Sequence, residues 1–130
     1  MRVYDFDGLV EVSNIRELEK ALMKRYLKDG EEVNHFWLDH DEAYPSLAIP
    51  IRGNLAGLHY FPEEGHPGFR SEGNMKGLKM GKTTEFYMNI HGQSIDVIND
   101  AIVPVSVALR VAKEFFYSKE LPKSVEWFEL

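Results

Sequence analysis

The sequence predicts an α+β domain: a mainly antiparallel, twisted sheet of about six to eight strands with two main helices packed against it. Three observations carry this. Short apolar alternations recur along the chain, punctuated by turn pairs such as Asp7-Gly8, Gly53-Asn54 and Gly92-Gln93. Only two stretches place apolar residues at helical spacing. Strands joined mostly by tight turns build antiparallel sheets, and the few helices then cover a face.

The elements follow in order. Arg2 to Phe6 and Leu9 to Val12 are short strands around Asp7-Gly8, a common two-residue hairpin turn. Ser13-Asn14 offers a helix N-cap, with Glu17 placed as in a capping box. From Ile15 to Lys28, the residues Ile15, Leu18, Leu22 and Tyr26 share one helical stripe, and Asp29-Gly30 ends it. His35 to Asp39 alternates, with Phe36 and Leu38 on one face and His35, Trp37 and Asp39 on the other. Ser46 to Ile51 is the next strand, and Pro50 argues for an edge or a bulge. Ala56 to Phe61 returns as its hairpin partner. Residues 62–82, rich in glycine, read as a long loop with little regular structure. Glu85 to Ile90, with Phe86, Met88 and Ile90 on one side, pairs with Ser94 to Ile98. Pro104 opens a second helix with the stripe Ala108, Val111, Ala112, Phe115 and Phe116. Val125 to Phe128 is a last strand. The predicted order is β-β-α-β-β-β-β-β-α-β, one domain over residues 1–130.

Composition narrows the function. There is no cysteine, so disulfides, zinc–thiolate sites and thiol catalysis are excluded. The first residues lack an apolar signal core, and the longest apolar run, Ala101 to Leu109, is too short to span a bilayer. A cytoplasmic protein without membrane attachment is expected. The net charge of −6 disfavours direct contact with nucleic acid, whose phosphates want a basic surface. It suits a cationic partner, although it also serves plain solubility.

Three clusters hold residue types that carry chemistry elsewhere. His35 with Asp39, His40, Asp41 and Glu42 offers metal-ligand side chains, but strand alternation separates His35 from His40 and the spacing fits no familiar site. Glu63, Glu64 and His66 sit in a Gly- and Pro-punctuated turn with no second catalytic group beside them. Gly73, Gly77 and Gly81 with Lys76, Lys79 and Lys82 miss the phosphate-loop pattern, since Lys76 stands where the first glycine belongs and a strand follows. No Gly-x-Ser-x-Gly occurs. Trp37 and Trp127 read as core or core-edge residues. The expectation is a protein without enzymatic activity, metal or cofactor. Its working surface would be the loop acids Asp39, Asp41, Glu42, Glu63, Glu64 and Glu72.

The stretch Tyr44 to Ile51, then Gly53 and Ala56 to Phe61, resembles the central hairpin of a family of bacterial immunity proteins. So does the ending, with Ile102-Val103-Pro104 opening a helix and Pro122 to Trp127 following it. This is the first-numbered immunity family of polymorphic toxin systems (Imm-one-like), whose members often accompany nucleic-acid deaminase toxins. The resemblance spans roughly Trp37 to Trp127. It implies a cytosolic antidote that binds the C-terminal domain of a cognate toxin and blocks its active site or substrate channel. A small-ligand-binding or regulatory domain without catalytic activity is the alternative.

Overall fold

The computed structural model describes residues 1–89 and 91–130. Two N-terminal strands, β1 (Arg2–Asp5) and β2 (Gly8–Glu11), precede α1 (Ile15–Leu22). Strands β3 (Tyr26–Lys28), β4 (Glu31–Asp39) and β5 (Ser46–Arg52) follow, then β6 (Leu55–Ala56), β7 (His59–Phe61) and β8 (Phe69–Ser71). Next come β9 (Thr83–Tyr87), β10 (Ser94–Ile98), a short 3-10 turn (Asn99–Ala101), β11 (Val103–Pro104), α2 (Val105–Ser118) and β12 (Trp127–Glu129). The fold is α+β, with a ten-stranded antiparallel sheet whose main path runs β12-β8-β7-β5-β4-β1-β2. That sheet is larger than the sequence suggests, and β9 and β10 form a separate two-stranded sheet.

Four local readings change, each for a physical reason. The first turn is Phe6-Asp7, because Asp5 pairs with Gly8. The Asp5 carboxylate then accepts the Asp7 N–H at 2.7 Å. The first helix stops at Leu22 rather than Lys28. Buried Asn34 donates to the Lys24 carbonyl at 2.9 Å, and Arg25 donates to the Leu22 carbonyl at 2.6 Å, which leads the chain out of the helix. Asp29-Gly30 is a hairpin turn between β3 and β4, both residues having positive φ (53° and 81°) as a type I′ turn requires. Pro50 lies in the sheet interior, neither at its edge nor breaking its own strand. Its carbonyl accepts the Gly57 N–H at 3.0 Å, so its missing N–H faces the interruption between β6 and β7.

The long loop is also more ordered than composition implies. Phe69–Ser71 pairs with both β7 and β12. Asn99 and Asp100 tie down its second half: Asn99 donates to the Lys79 carbonyl at 2.8 Å, and the Asp100 carboxylate accepts the Gly81 N–H at 2.9 Å. Gly73 is required where the loop crosses the 3-10 turn, since an added Cβ would lie 1.8 Å from the Ile102 carbonyl oxygen. The strand expected over Glu85 to Ile90 ends at Tyr87, and Met88 is exposed. Ile90 lies outside the described residues.

Both helices cover one face of the sheet. Leu18 and Leu22 of α1 and Ala108, Val111 and Phe115 of α2 pack on Phe36, Leu38, Leu47 and Ile49. The predicted stripe on α2 is buried except for Phe116, which is half-buried at its margin. Tyr26, drawn onto the α1 stripe by its spacing, instead sits in β3 with its ring 5.3 Å from Phe6. Trp127 packs against the edge of the core, as expected. Trp37 does not, because it belongs to the opposite face. Among the described residues, no helix is long and apolar enough to cross a membrane.

Candidate functional site

The register gathers part of the predicted acidic surface. Arg2 pairs with Asp39, Asp39 with Ser46, and Ser46 with Phe61. The β4–β5 turn and the β7–β8 loop therefore leave the sheet at the same end. Asp41, Glu42, Glu63 and Glu64 all sit there, exposed. Among the described residues none of the four makes an ion pair. Such uncompensated carboxylates project a negative field toward solvent.

The other two predicted acids stand apart. Asp39 is buried at 4% exposure, accepting from Arg2 Nε at 2.6 Å and from the Asp41 N–H at 3.0 Å. It holds the turn and keeps the Arg2 guanidinium charged, raising its pKa through that hydrogen bond. Glu72 follows β8, whose Ser71 N–H donates back to the Leu58 carbonyl, so it lies toward the opposite end of the sheet.

Two histidines of the suspect clusters, His40 and His66, make bonds that tie elements of the fold together. His40 Nε2 meets the Phe115 carbonyl at 2.8 Å at the end of α2, and burial lowers its pKa. His66 joins Glu129 through Nε2 at 2.8 Å and accepts the Gly68 N–H on Nδ1, fastening the loop to β12. Among the described residues no three His, Asp or Glu side chains converge as metal ligands. Lys76, Lys79 and Lys82 are exposed on the tied loop, and among the described residues none of them makes an ion pair.

Sequence reasoning missed the face that the helices leave open. One cross-strand row runs over it: Leu9, Tyr4, Trp37, Ala48, His59, Arg70 and Phe128, each registered against the next. Small residues on β5 leave room for rings above them. Trp37 stacks on Phe61 at 5.2 Å, and Phe61 on His59 at 4.0 Å. Arg70 lies over the Phe128 ring at 4.7 Å. A cleft of about 320 Å³ opens between this ladder and β10, lined mainly by apolar atoms. Its wall includes His35, whose Nδ1 is buried without a partner. Burial pushes the His35 imidazole down to about 4, so it is neutral at pH 7. The β9–β10 hairpin reaches this face through Val97, 3.6 Å from where a Gly57 Cβ would stand, and through Arg52, which donates to the Glu85 carbonyl at 2.9 Å. The alternation at Trp37 was the available signal. It needed a cross-strand register to become a row.

No family model matches the chain. A protein of Burkholderia cenocepacia (strain H111), named a double-stranded DNA deaminase immunity protein, is 32% identical over 127 residues, covering 97% of this chain and 97% of that protein.

Proposed function

The chain belongs to the family of that deaminase immunity protein, and from this premise we propose that it neutralises a cognate bacterial deaminase by binding the toxin domain and covering its active site. The full-length match at 32% identity carries the reading. The antidote acts by occupancy, without catalysis or a cofactor, in the cytoplasm of the cell that makes the toxin. Its partner is the toxin's C-terminal domain.

Charge supplies the approach. An enzyme that takes a nucleic-acid substrate offers a cationic groove. A protein of net charge −6 with four uncompensated acids at one end of its sheet is attracted to that groove. Asp41, Glu42, Glu63 and Glu64 thus steer the encounter, while Asp39 shapes their turn. Glu72, remote from them, has no part in that field.

Two measurements test this. Co-expression with the deaminase toxin domain it is cognate to should rescue growth; continued killing by a stably co-expressed pair would remove the reading. The quadruple variant Asp41→Asn, Glu42→Gln, Glu63→Gln, Glu64→Gln should associate with the toxin domain about tenfold more slowly at low salt. An association rate independent of ionic strength in the parent protein would remove the steering role alone.

A further inference from the structure

The strand β10 has a free edge, and its ladder says which backbone groups are unused. Asn99 donates to the Lys82 carbonyl at 2.8 Å, and Met88 donates to the Gln93 carbonyl at 2.8 Å. Residues 93, 95, 97 and 99 are therefore the hydrogen-bonded positions against β9. The N–H and C=O groups of Ser94 and Asp96 and the N–H of Ile98 must point the other way, while the Ile98 carbonyl caps the 3-10 turn that follows. Asp96 and Ile98 line the cleft. Natural edge strands are usually blunted by charges, a proline or a bulge; Ser94–Ile98 has neither proline nor bulge, and its one charge, Asp96, repels an acidic strand and admits a cationic one.

The surroundings state what would satisfy this edge. Asp96 lies directly opposite Glu85, both exposed, and neither makes an ion pair among the described residues. Like charges so placed repel, and a cation between them would relieve the repulsion. Across the cleft the Trp37–Phe61–His59 ladder offers flat apolar surface. Backbone groups, paired acids and aromatic rings together fit an extended peptide bearing cationic and bulky apolar side chains.

We propose that this cleft is where the toxin domain docks, laying an extended cationic and apolar segment along the free edge of β10 with a side chain on the Trp37 ladder. This rests on the immunity reading above.

The test uses the purified toxin domain, inactivated in its catalytic site, and titration calorimetry. Asp96→Ala removes the charge and keeps the N–H. Asp96→Pro also removes the outward N–H without touching the β9 ladder, a substitution that edge strands tolerate. The proline variant should bind about tenfold more weakly than the alanine variant, through the lost edge hydrogen bond. Trp37→Ala should lose at least about thirtyfold, as a central aromatic anchor does. In the complex of the unsubstituted protein, the Asp96 and Ile98 amides should gain protection from hydrogen exchange, a readout independent of any variant's folding. Met23→Asp and Tyr117→Asp, on the helical side, should bind as the parent does.

If the parent protein binds while all three cleft variants match it and the two amides stay unprotected, the docking site is elsewhere and the immunity reading survives. If the parent does not bind the toxin domain at all, the immunity reading fails first. Dimerisation of the free protein through the β10 edge, seen by sedimentation, would give that edge to a second copy and overturn the proposal.

Discussion

Neighbouring rows of the same sheet carry opposite chemistry. On the helix-covered face, Val10, Val3, Leu38, Leu47, Tyr60, Phe69 and Glu129 stand in register across seven strands. One residue along each strand, Leu9, Tyr4, Trp37, Ala48, His59, Arg70 and Phe128 do the same on the open face. The first row is aliphatic at its centre, where Leu38 and Leu47 are fully buried. The second is mainly aromatic, its one cation, Arg70, lying over the Phe128 ring, and it ends in exposed Leu9 and Phe128. A face built only for stability would bury its apolar area under another layer. Rings left half-covered beside an unpaired strand edge are the composition of an interface. The β9–β10 hairpin covers one end of the second face, where Val33 and Phe86 are fully buried, and leaves the aromatic row beside it without a covering layer.

Adjacent residues on β4 give the sharpest way to break that division. Phe36→Ala empties a fully buried site under the helices and should cost about 3–5 kcal/mol of unfolding free energy in urea. Trp37→Ala removes a larger ring from the other face, where it is only partly buried. Its loss should be smaller, about 1–2 kcal/mol, from the stacking with Phe61 and the apolar area covered around it. Equal losses would mean that the open face is a second core and not a docking surface.

A pH titration sharpens the same contrast. His35 points to the open face, yet burial holds its folded pKa near 4 against an ordinary 6.5. The unfolded chain therefore takes up this proton first as pH falls. The stability that neutral His35 preserves is full above pH 6.5 and is lost progressively down to pH 4. The loss approaches about 3 kcal/mol. His40 and His59 are shifted downward by burial as well and act in the same direction. His35→Gln should flatten the denaturation profile between pH 6.5 and 4 by most of that amount. An unchanged slope would show His35 to be solvated in the native state, and the cleft wall to be open there.

The division was half legible in the sequence. Alternation in His35 to Asp39 assigned Phe36 and Leu38 to one side and Trp37 to the other, and both assignments hold. What alternation within one strand cannot supply is the register between strands. Trp37 joins an aromatic row only when Ala48, Phe61 and His59 stand beside it, and Ser71 meets Trp127 across 56 residues of sequence. β8 has three residues, too few to show a period, so it vanished into the long loop. The helical spacing of Leu18, Leu22 and Tyr26 was real, yet buried Asn34 captured the backbone after Lys24 and turned Tyr26 into a strand. The acids divided similarly. Asp41, Glu42, Glu63 and Glu64 share one end of the sheet, whereas Asp39 was claimed by Arg2, a partner 37 residues away.

The cap of α1 tests the helical side at smaller scale. Asn14 Oδ1 accepts the Glu17 N–H at 2.9 Å, and the Glu17 carboxylate accepts the Ser13 N–H at 2.7 Å. The predicted capping box is present, with its return bond shifted to Ser13. Asn14→Ala should cost about 1 kcal/mol, read as a lowered melting temperature. Toxin affinity should not move, since α1 stands behind the sheet. A loss of affinity equal to that of Trp37→Ala would join the two faces into one functional unit.

The smallest expected effect is at the rim of the open face. Leu9 ends the aromatic row on β2 and is 52% exposed. Its side chain gains little from folding, so Leu9→Ala should change stability by no more than about 0.5 kcal/mol. Yet Leu9 lies in the same register as Trp37, two strands away across Tyr4. If the docked toxin covers the whole row, Leu9→Ala should slow growth rescue in co-expression while leaving the melting curve in place. If it covers only the cleft beside β10, the variant should rescue like the parent. The outcome measures how far along the sheet the interface extends, because stability and binding separate most cleanly where a side chain is apolar, registered with the site and scarcely buried.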